Sequence, residues 1–184
     1  MARTPTKQIP LGFNAPEFNL INVVNNQPET LKDVNKENGL VVMFICNHCP
    51  FVVHVIDEIV NIANDYMNKG IGFVAISSND VINYPDDSPE KMKSLAIEKD
   101  FPFSYLYDES QEIAKAYDAA CTPDFSIFDN ELKCIYRGQM DSSRPGNDNP
   151  VNGEDMRKVL DYILLNKVID FEQVPSIGCN IKWK

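Results

Sequence analysis

The sequence predicts an α/β domain: a central mixed β-sheet flanked by helices, with an N-terminal extension and a C-terminal tail. Three observations carry that expectation. Two unbroken apolar runs, Leu40-Val41-Val42-Met43-Phe44-Ile45 and Ile71-Gly72-Phe73-Val74-Ala75-Ile76, have the composition of strands covered on both faces. Between them Val52, Val55, Ile56, Ile59, Ala63, Tyr66 and Met67 recur at three- and four-residue spacing, which marks an amphipathic helix ending near Lys69-Gly70. Strand, helix and strand in that order form one unit with a right-handed crossover. Further on, Asp124 to Phe128 and Cys134 to Arg137 read as antiparallel strands joined by a turn at Asp129-Asn130, which makes the sheet mixed.

The remaining elements follow in order. The alternation Pro16-Glu17-Phe18-Asn19-Leu20-Ile21 reads as a short half-buried strand. A polar stretch, Asn25-Asn26-Gln27-Pro28, leads to a turn or short helix at Thr30-Leu31-Lys32-Asp33. Pro50 fits the first turn of the long helix, where a missing N–H costs nothing. Ser88-Pro89-Glu90 opens a helix to about Glu98 with Ser88 as its N-cap. Phe103 to Leu106 reads as a strand, Gln111 to Tyr117 as a short helix, and Glu154 to Leu165 as the last helix. Residues 1–166 are expected to form one domain, and 167–184 a tail without assigned conformation.

Bulk properties narrow the function. The 184 residues suit a single core, with 43% hydrophobic and 24% charged residues. A formal charge of −10 repels phosphate backbones and anionic lipid, so neither nucleic acid nor a membrane surface is an expected partner. Met1 to Gln8 is not followed by an apolar core of a signal peptide, and no run reaches the ~18 apolar residues of a membrane span. The expected compartment is the cytoplasm. Five cysteines, Cys46, Cys49, Cys121, Cys134 and Cys179, are an odd count that does not suit a disulfide-stapled secreted domain.

The close pair in Cys46-Asn47-His48-Cys49 needs a chemical explanation. It lies where a buried strand becomes a helix, so Cys46 is expected at the helix N-terminus, where unpaired N–H groups and the dipole favour a thiolate. Thiolate is the nucleophile of disulfide exchange, and Cys49, one turn on and more buried, reaches back to release a mixed disulfide. His48 either tunes the thiol pKa or is a solvated bystander. Zinc requires two further ligands at knuckle spacing, and Cys121, Cys134 and Cys179 are isolated from one another. No metal and no other cofactor is expected.

Four segments, in order, carry a family likeness: Gly12-Phe13-Asn14-Ala15-Pro16-Glu17-Phe18 with Leu20, Thr30-Leu31-Lys32-Asp33, Phe44-x-Cys46-x-x-Cys49-Pro50 and Thr122-Pro123-Asp124. On these the chain resembles the thioredoxin-like redoxins, a superfamily that includes thioredoxins, membrane-anchored disulfide reductases and peroxiredoxins. The likeness spans about residues 12 to 165 and implies a thioredoxin fold. It implies further that Pro123 is a cis-proline facing the dithiol and that Thr122 presents its backbone to substrate. The Cys-Asn-His-Cys-Pro motif, with the segment Pro175-Ser176-Ile177-Gly178-Cys179-Asn180-Ile181-Lys182-Trp183, is similar to a peroxiredoxin-like, alkyl-hydroperoxide-reductase-related subgroup in which the first cysteine is the dependable one.

The likeness has two breaks. Thioredoxin has Trp before its first cysteine and Gly-Pro between the pair, where this chain has Ile45 and Asn47-His48. The peroxidase pattern Pro-x-x-x-Thr/Ser-x-x-Cys, aligned on Cys49, meets Val42 in place of Pro and Cys46 in place of the hydroxyl residue. Aligned on Cys46, it again lacks the hydroxyl. The leading expectation is therefore a thiol–disulfide oxidoreductase acting through Cys46 and Cys49 on a protein disulfide or small thiol. A thiol peroxidase and a non-catalytic binding module remain in competition. Cys179 is either a resolving thiol or an apolar packing residue. Cys121 is either a mixed-disulfide partner or a core thiol, Cys134 is core, Arg137 reads as a surface partner for a carboxylate, and Asp86-Asp87 as a solvated loop.

Overall fold

The computed structural model describes residues 3–184, so Met1 and Ala2 of the segment read for targeting lie outside it. The strands are β1 (Arg3–Pro5), β2 (Asn19–Asn22), β3 (Pro28–Thr30), β4 (Gly39–Phe44), β5 (Ile71–Ser77), β6 (Ser104–Tyr107), β7 (Cys121–Thr122), β8 (Asp124–Phe128), β9 (Cys134–Arg137) and β10 (Ile177–Asn180). The helices are α1 (Leu31–Val34), α2 (Pro50–Met67), α3 (Pro89–Glu98), α4 (Glu112–Ala116) and α5 (Glu154–Leu164). Seven strands form one sheet in the order β3-β2-β6-β5-β4-β8-β9. The β4/β5 and β5/β6 pairs are parallel, whereas β4/β8 and β8/β9 are antiparallel, so the sheet is mixed. The fold is a mixed α/β thioredoxin-like fold.

Every residue of β4 is buried, and alternation decides what each one meets. Val41 and Met43 join Val52, Ile56 and Ile59 of α2 and Met156, Val159 and Leu160 of α5 in one apolar cluster. Leu40, Val42 and Phe44 point the other way, onto Leu31 and Val34 of α1 and Ala114 of α4. Each such side chain contributes about 1.5–3 kcal/mol on burial. An unbroken apolar run is what a strand between two layers requires. The α2 stripe also buries Ile62, Ala63 and Tyr66. Ser88 caps α3 as expected, with its side chain accepting from the Lys91 N–H. Among the described residues no helix is long and apolar enough to cross a membrane.

A second sheet, in the order β1-β10-β7, has no counterpart in the expectations from sequence. Its middle strand, β10, comes from the stretch expected to be a tail. Cys179 pairs with Arg3 on one side and Thr122 on the other. The segment is held on both flanks: Thr6 N–H donates to Ser176 O at 2.8 Å, Ile181 N–H to Ala120 O at 3.1 Å, and Lys182 N–H to Asn79 Oδ1 at 2.8 Å. Gly178 permits the approach, because a Cβ there would stand 2.0 Å from Thr122 O.

Arg137 also departs from expectation, since it is not a surface residue. It is 3% exposed, and its guanidinium donates to the carbonyl oxygens of Lys7, Tyr117 and Asp118 and to Ser126 Oγ. It lies 3.8 Å from the buried carboxylate of Asp124, which also accepts from Thr6 Oγ1 at 3.3 Å. The pair joins the two sheets where β7 runs into β8. The carbonyl oxygens that draw Arg137 inward belong to segments far off in sequence, so its place at a strand end does not reveal them.

Candidate functional site

The site gathers where β4 ends, α2 begins and β7 meets β10. Cys46 follows β4, whose run continues through Ile45 by a backbone bond to Ile76 O at 3.0 Å. The next two residues leave the sheet for a loop. Asn47 N–H donates to Asp87 Oδ1 at 2.8 Å, Asn47 Nδ2 to Asp86 O at 2.9 Å, and the Tyr105 hydroxyl to Asn47 Oδ1 at 3.1 Å. These bonds hold residues 46–48 outside the helix. The N-cap of α2 is Cys49, with Pro50 in the first turn as expected, and Cys46 lies three residues before the cap. Val52 N–H and Val53 N–H both donate to Cys49 O at 2.9 Å.

Cys46 is 1% exposed and Cys49 0%, so burial does not separate them. Cys46 Sγ lies 3.3 Å from Thr122 Oγ1, and the Cys49 thiol donates to Thr122 O at 3.1 Å. The Thr122–Pro123 peptide is cis. Cys49 is the hub of the thiols: it is in hydrogen-bonding contact with both Cys46 and Cys179. None of the five cysteines is in a disulfide.

Charge is distributed unevenly over the pair. Donation from Cys46, from Cys179 and from the Val52 N–H at the start of α2 lowers the Cys49 pKa against the opposing effect of burial. Cys46 is raised, first by its contact with Cys49, then by burial and by the nearby Asp87 carboxylate. Once one proton has left the pair, their contact favours the charge on Cys49 over Cys46; the Cys49 donation to Thr122 O belongs to the pair with both protons. The expectation from sequence puts the thiolate on Cys46; the directions here differ first because Cys46 acts as a donor to Cys49. Burial raises Cys179 as well.

Asp87, expected in a solvated loop, is 0% exposed. Beyond Asn47 it accepts from Asn79 Nδ2 at 2.7 Å, and His48 Nδ1 stands 2.7 Å from its Oδ2. A buried carboxylate is tolerable only with such partners. His48 is stacked on Tyr84, with ring centroids 5.8 Å apart. Cys46 Sγ, a His48 ring nitrogen and an Asp87 oxygen lie within 4.8 Å of one another, the one such donor group among the described residues. Both Asp87 oxygens already accept hydrogen bonds, so the group forms part of the loop's own network. The local signal is only the turn imposed by Pro85 and Pro89; Asn47 and His48 lie far off in sequence.

Thus Cys46, Cys49, Thr122 and Cys179 are brought together, with Pro123 beside them and His48 at the edge. Cys121 is not: its thiol faces Thr6 Oγ1 and Asp124 Oδ2, each at 3.9 Å, and burial raises its pKa. Cys134 packs in the opposite core, its thiol donating to Tyr136 O at 3.5 Å, and burial pushes it up to about 12. A small crevice alongside Pro123 is lined by Phe51, Val55, Met140, Arg144 and Ile177.

The Redoxin family model matches residues 10–154 of the chain. No curated protein matches it. Among solved structures, an uncharacterised conserved protein from Geobacillus kaustophilus is 58% identical, covering 100% of this chain and 97% of that one, with a TM-score of 0.98. A hypothetical protein from Sinorhizobium meliloti is 42% identical over 98% of both chains, with a TM-score of 0.96. The thioredoxin domain of a thiol-disulfide oxidoreductase from Bacteroides vulgatus is 15% identical, covering 83% of this chain and 99% of that one, with a TM-score of 0.64. At that identity the likeness is one of fold.

Proposed function

The chain belongs to the redoxin family, and on that premise we propose that it is a thiol–disulfide oxidoreductase exchanging electrons between the Cys46/Cys49 dithiol and disulfides of proteins or small thiols. The observation that carries this reading is the contact of two buried thiols with each other and with Thr122, at the N-terminus of α2.

The reaction begins with the proton that the pair shares. As a disulfide approaches Cys46, the Cys46 proton passes to the Cys49 thiolate, and Thr122 Oγ1 remains as a hydrogen-bond partner for the charge on Cys46. Cys46 attacks one substrate sulfur; a Cys46–substrate bond forms, the substrate S–S bond breaks, and the departing thiolate takes a proton. Cys49 then attacks Cys46 Sγ, releasing the second substrate thiol. The protein has lost two electrons as a disulfide and the substrate has gained them. The Thr122 backbone already pairs with Cys179 of β10 and accepts from the Cys49 thiol. We place the reaction in the cytoplasm, on the support of the odd number of cysteines.

A peroxidase reading is favoured by one feature, the lowered pKa of Cys49 at a helix N-cap. Against it, the peroxidase pattern aligned on Cys49 has Val42 in place of Pro and Cys46 in place of the hydroxyl residue. Turnover separates the readings. With dithiothreitol as reductant, the protein is expected to reduce insulin or a model aromatic disulfide, and Cys46→Ser to fall to background. Rapid consumption of hydrogen peroxide instead would establish the peroxidase. Inertness in both assays would leave a binding module.

A further inference from the structure

Cys49 touches two thiols, and the dithiol reaction uses only one of them. The other, Cys179, is 2% exposed and lies in the same apolar cluster as Cys46 and Cys49. Its placement is built. Cys179 is the residue of β10 opposite Thr122, and opposed residues of an antiparallel pair turn their side chains to the same face. Thr122 on that face meets Cys46 through its hydroxyl. Gly178 admits β10 to this position, and β1 holds its far edge.

We infer that Cys179 is a third redox thiol, which takes the disulfide over from the Cys46–Cys49 pair and stores it as a Cys49–Cys179 bridge. The inference rests on the dithiol reading above, because the disulfide originates there. In the handover Cys179, on losing its proton, attacks Cys49 Sγ. The Cys49–Cys179 bond forms, the Cys46–Cys49 bond breaks, and the departing Cys46 thiolate takes up the proton. No electrons are gained or lost in this step, so it needs no further oxidant. Cys49 is the required centre, since it contacts both the entering and the leaving sulfur. The consequence is a resting oxidised protein with Cys46 again a thiol under Thr122 and with β10 tied covalently to the start of α2. Return of electrons runs backwards: Cys46 re-attacks Cys49 Sγ and frees Cys179. An external thiol opens the Cys46–Cys49 bond as a mixed disulfide, and a second external thiol releases it as the external disulfide, leaving both cysteines reduced.

The test is disulfide mapping. Wild type, Cys46→Ser and Cys179→Ser are equilibrated in buffers of reduced and oxidised dithiothreitol at graded ratios. They are then quenched in acid, unfolded, alkylated, digested and read by mass spectrometry. Wild type is expected to yield both the Cys46–Cys49 and Cys49–Cys179 linked peptides, Cys46→Ser only the latter, and Cys179→Ser only the former. A Cys46–Cys49 bridge in wild type and Cys179→Ser, with no Cys49–Cys179 peptide in wild type at any ratio, overturns the handover and leaves the dithiol reaction standing. Only wild type and Cys179→Ser enter that comparison, so it holds even if Cys46→Ser does not fold. Absence of the Cys46–Cys49 bridge from Cys179→Ser, in protein shown by circular dichroism to be folded, overturns the dithiol reaction and the handover with it.

Discussion

The two sheets of this protein are built on opposite terms. The seven-stranded sheet draws on long apolar runs, and its central strands are covered on both faces by helices and connecting segments. The three-stranded sheet contains short strands with little apolar pattern, drawn from residues 3–5, 121–122 and 177–180. The first supplies most of the buried apolar area and hence most of the stability. The second supplies two of the side chains that face the dithiol, Thr122 and Cys179. Stability and chemistry are therefore separable here, and the small sheet is the part where substitutions should change reactivity more than folding.

Substitutions sharpen that contrast. The largest expected effect is at the junction: Arg137→Ala leaves the Asp124 carboxylate and several carbonyl oxygens unpaired inside, and should lower stability by about 3–5 kcal/mol in urea unfolding. Leu40→Ala in the large sheet should cost about 2–5 kcal/mol, with thiol reactivity in the folded fraction unchanged. Gly178→Ala in the small sheet should cost less, about 1–3 kcal/mol, because β10 must shift from a contact that a Cβ would bring to 2.0 Å. It should nevertheless raise the alkylation rate of Cys49 and Cys179 more than Leu40→Ala does. If Leu40→Ala exposes the thiols and Gly178→Ala does not, the separation of roles fails.

The smallest change is read in pH. Asp87 holds the Cys46 pKa up, so Asp87→Asn should let Cys46 deprotonate at lower pH and move its iodoacetamide profile in the acid direction. Because Cys46 donates to Cys49, Cys46→Ser should move the Cys49 profile only as far as a hydroxyl is a different donor from a thiol. Cys46→Ala, which removes the donor, should move it to higher pH. A Cys49 profile that stays put in Cys46→Ala would show that the start of α2 alone holds the charge.

The large sheet is legible in the sequence because each of its signals is local. The β4 and β5 runs, the α2 stripe, the Ser88 cap and the Asp129-Asn130 turn each lie within one short stretch of consecutive residues and obey one period. The dithiol and Thr122-Pro123 are legible for a different reason, a motif in familiar order. What escapes depends on pairing across the chain. Ile-Gly-Cys-Asn has no alternation to mark a strand, and β10 becomes one only because β1 and β7 flank it. Asp87 sits in a polar turn that resembles any solvated loop until Asn47 and His48 are folded onto it. The loop conformation of residues 46–48, which leaves Cys49 as the N-cap, rests on those same bonds.

The position of β10 in the order of synthesis has a further consequence. The dithiol and the helix behind it can form early on the ribosome, but the wall carrying Cys179 emerges after every other strand among the described residues. Until residue 180 has cleared the exit tunnel, Thr122 has no neighbour on that side and Cys49 has a single thiol beside it. A nascent chain thus passes through a stage with its reactive pair less enclosed than in the folded domain, and emergence of the β10 segment is also the step that sheathes its sulfur chemistry.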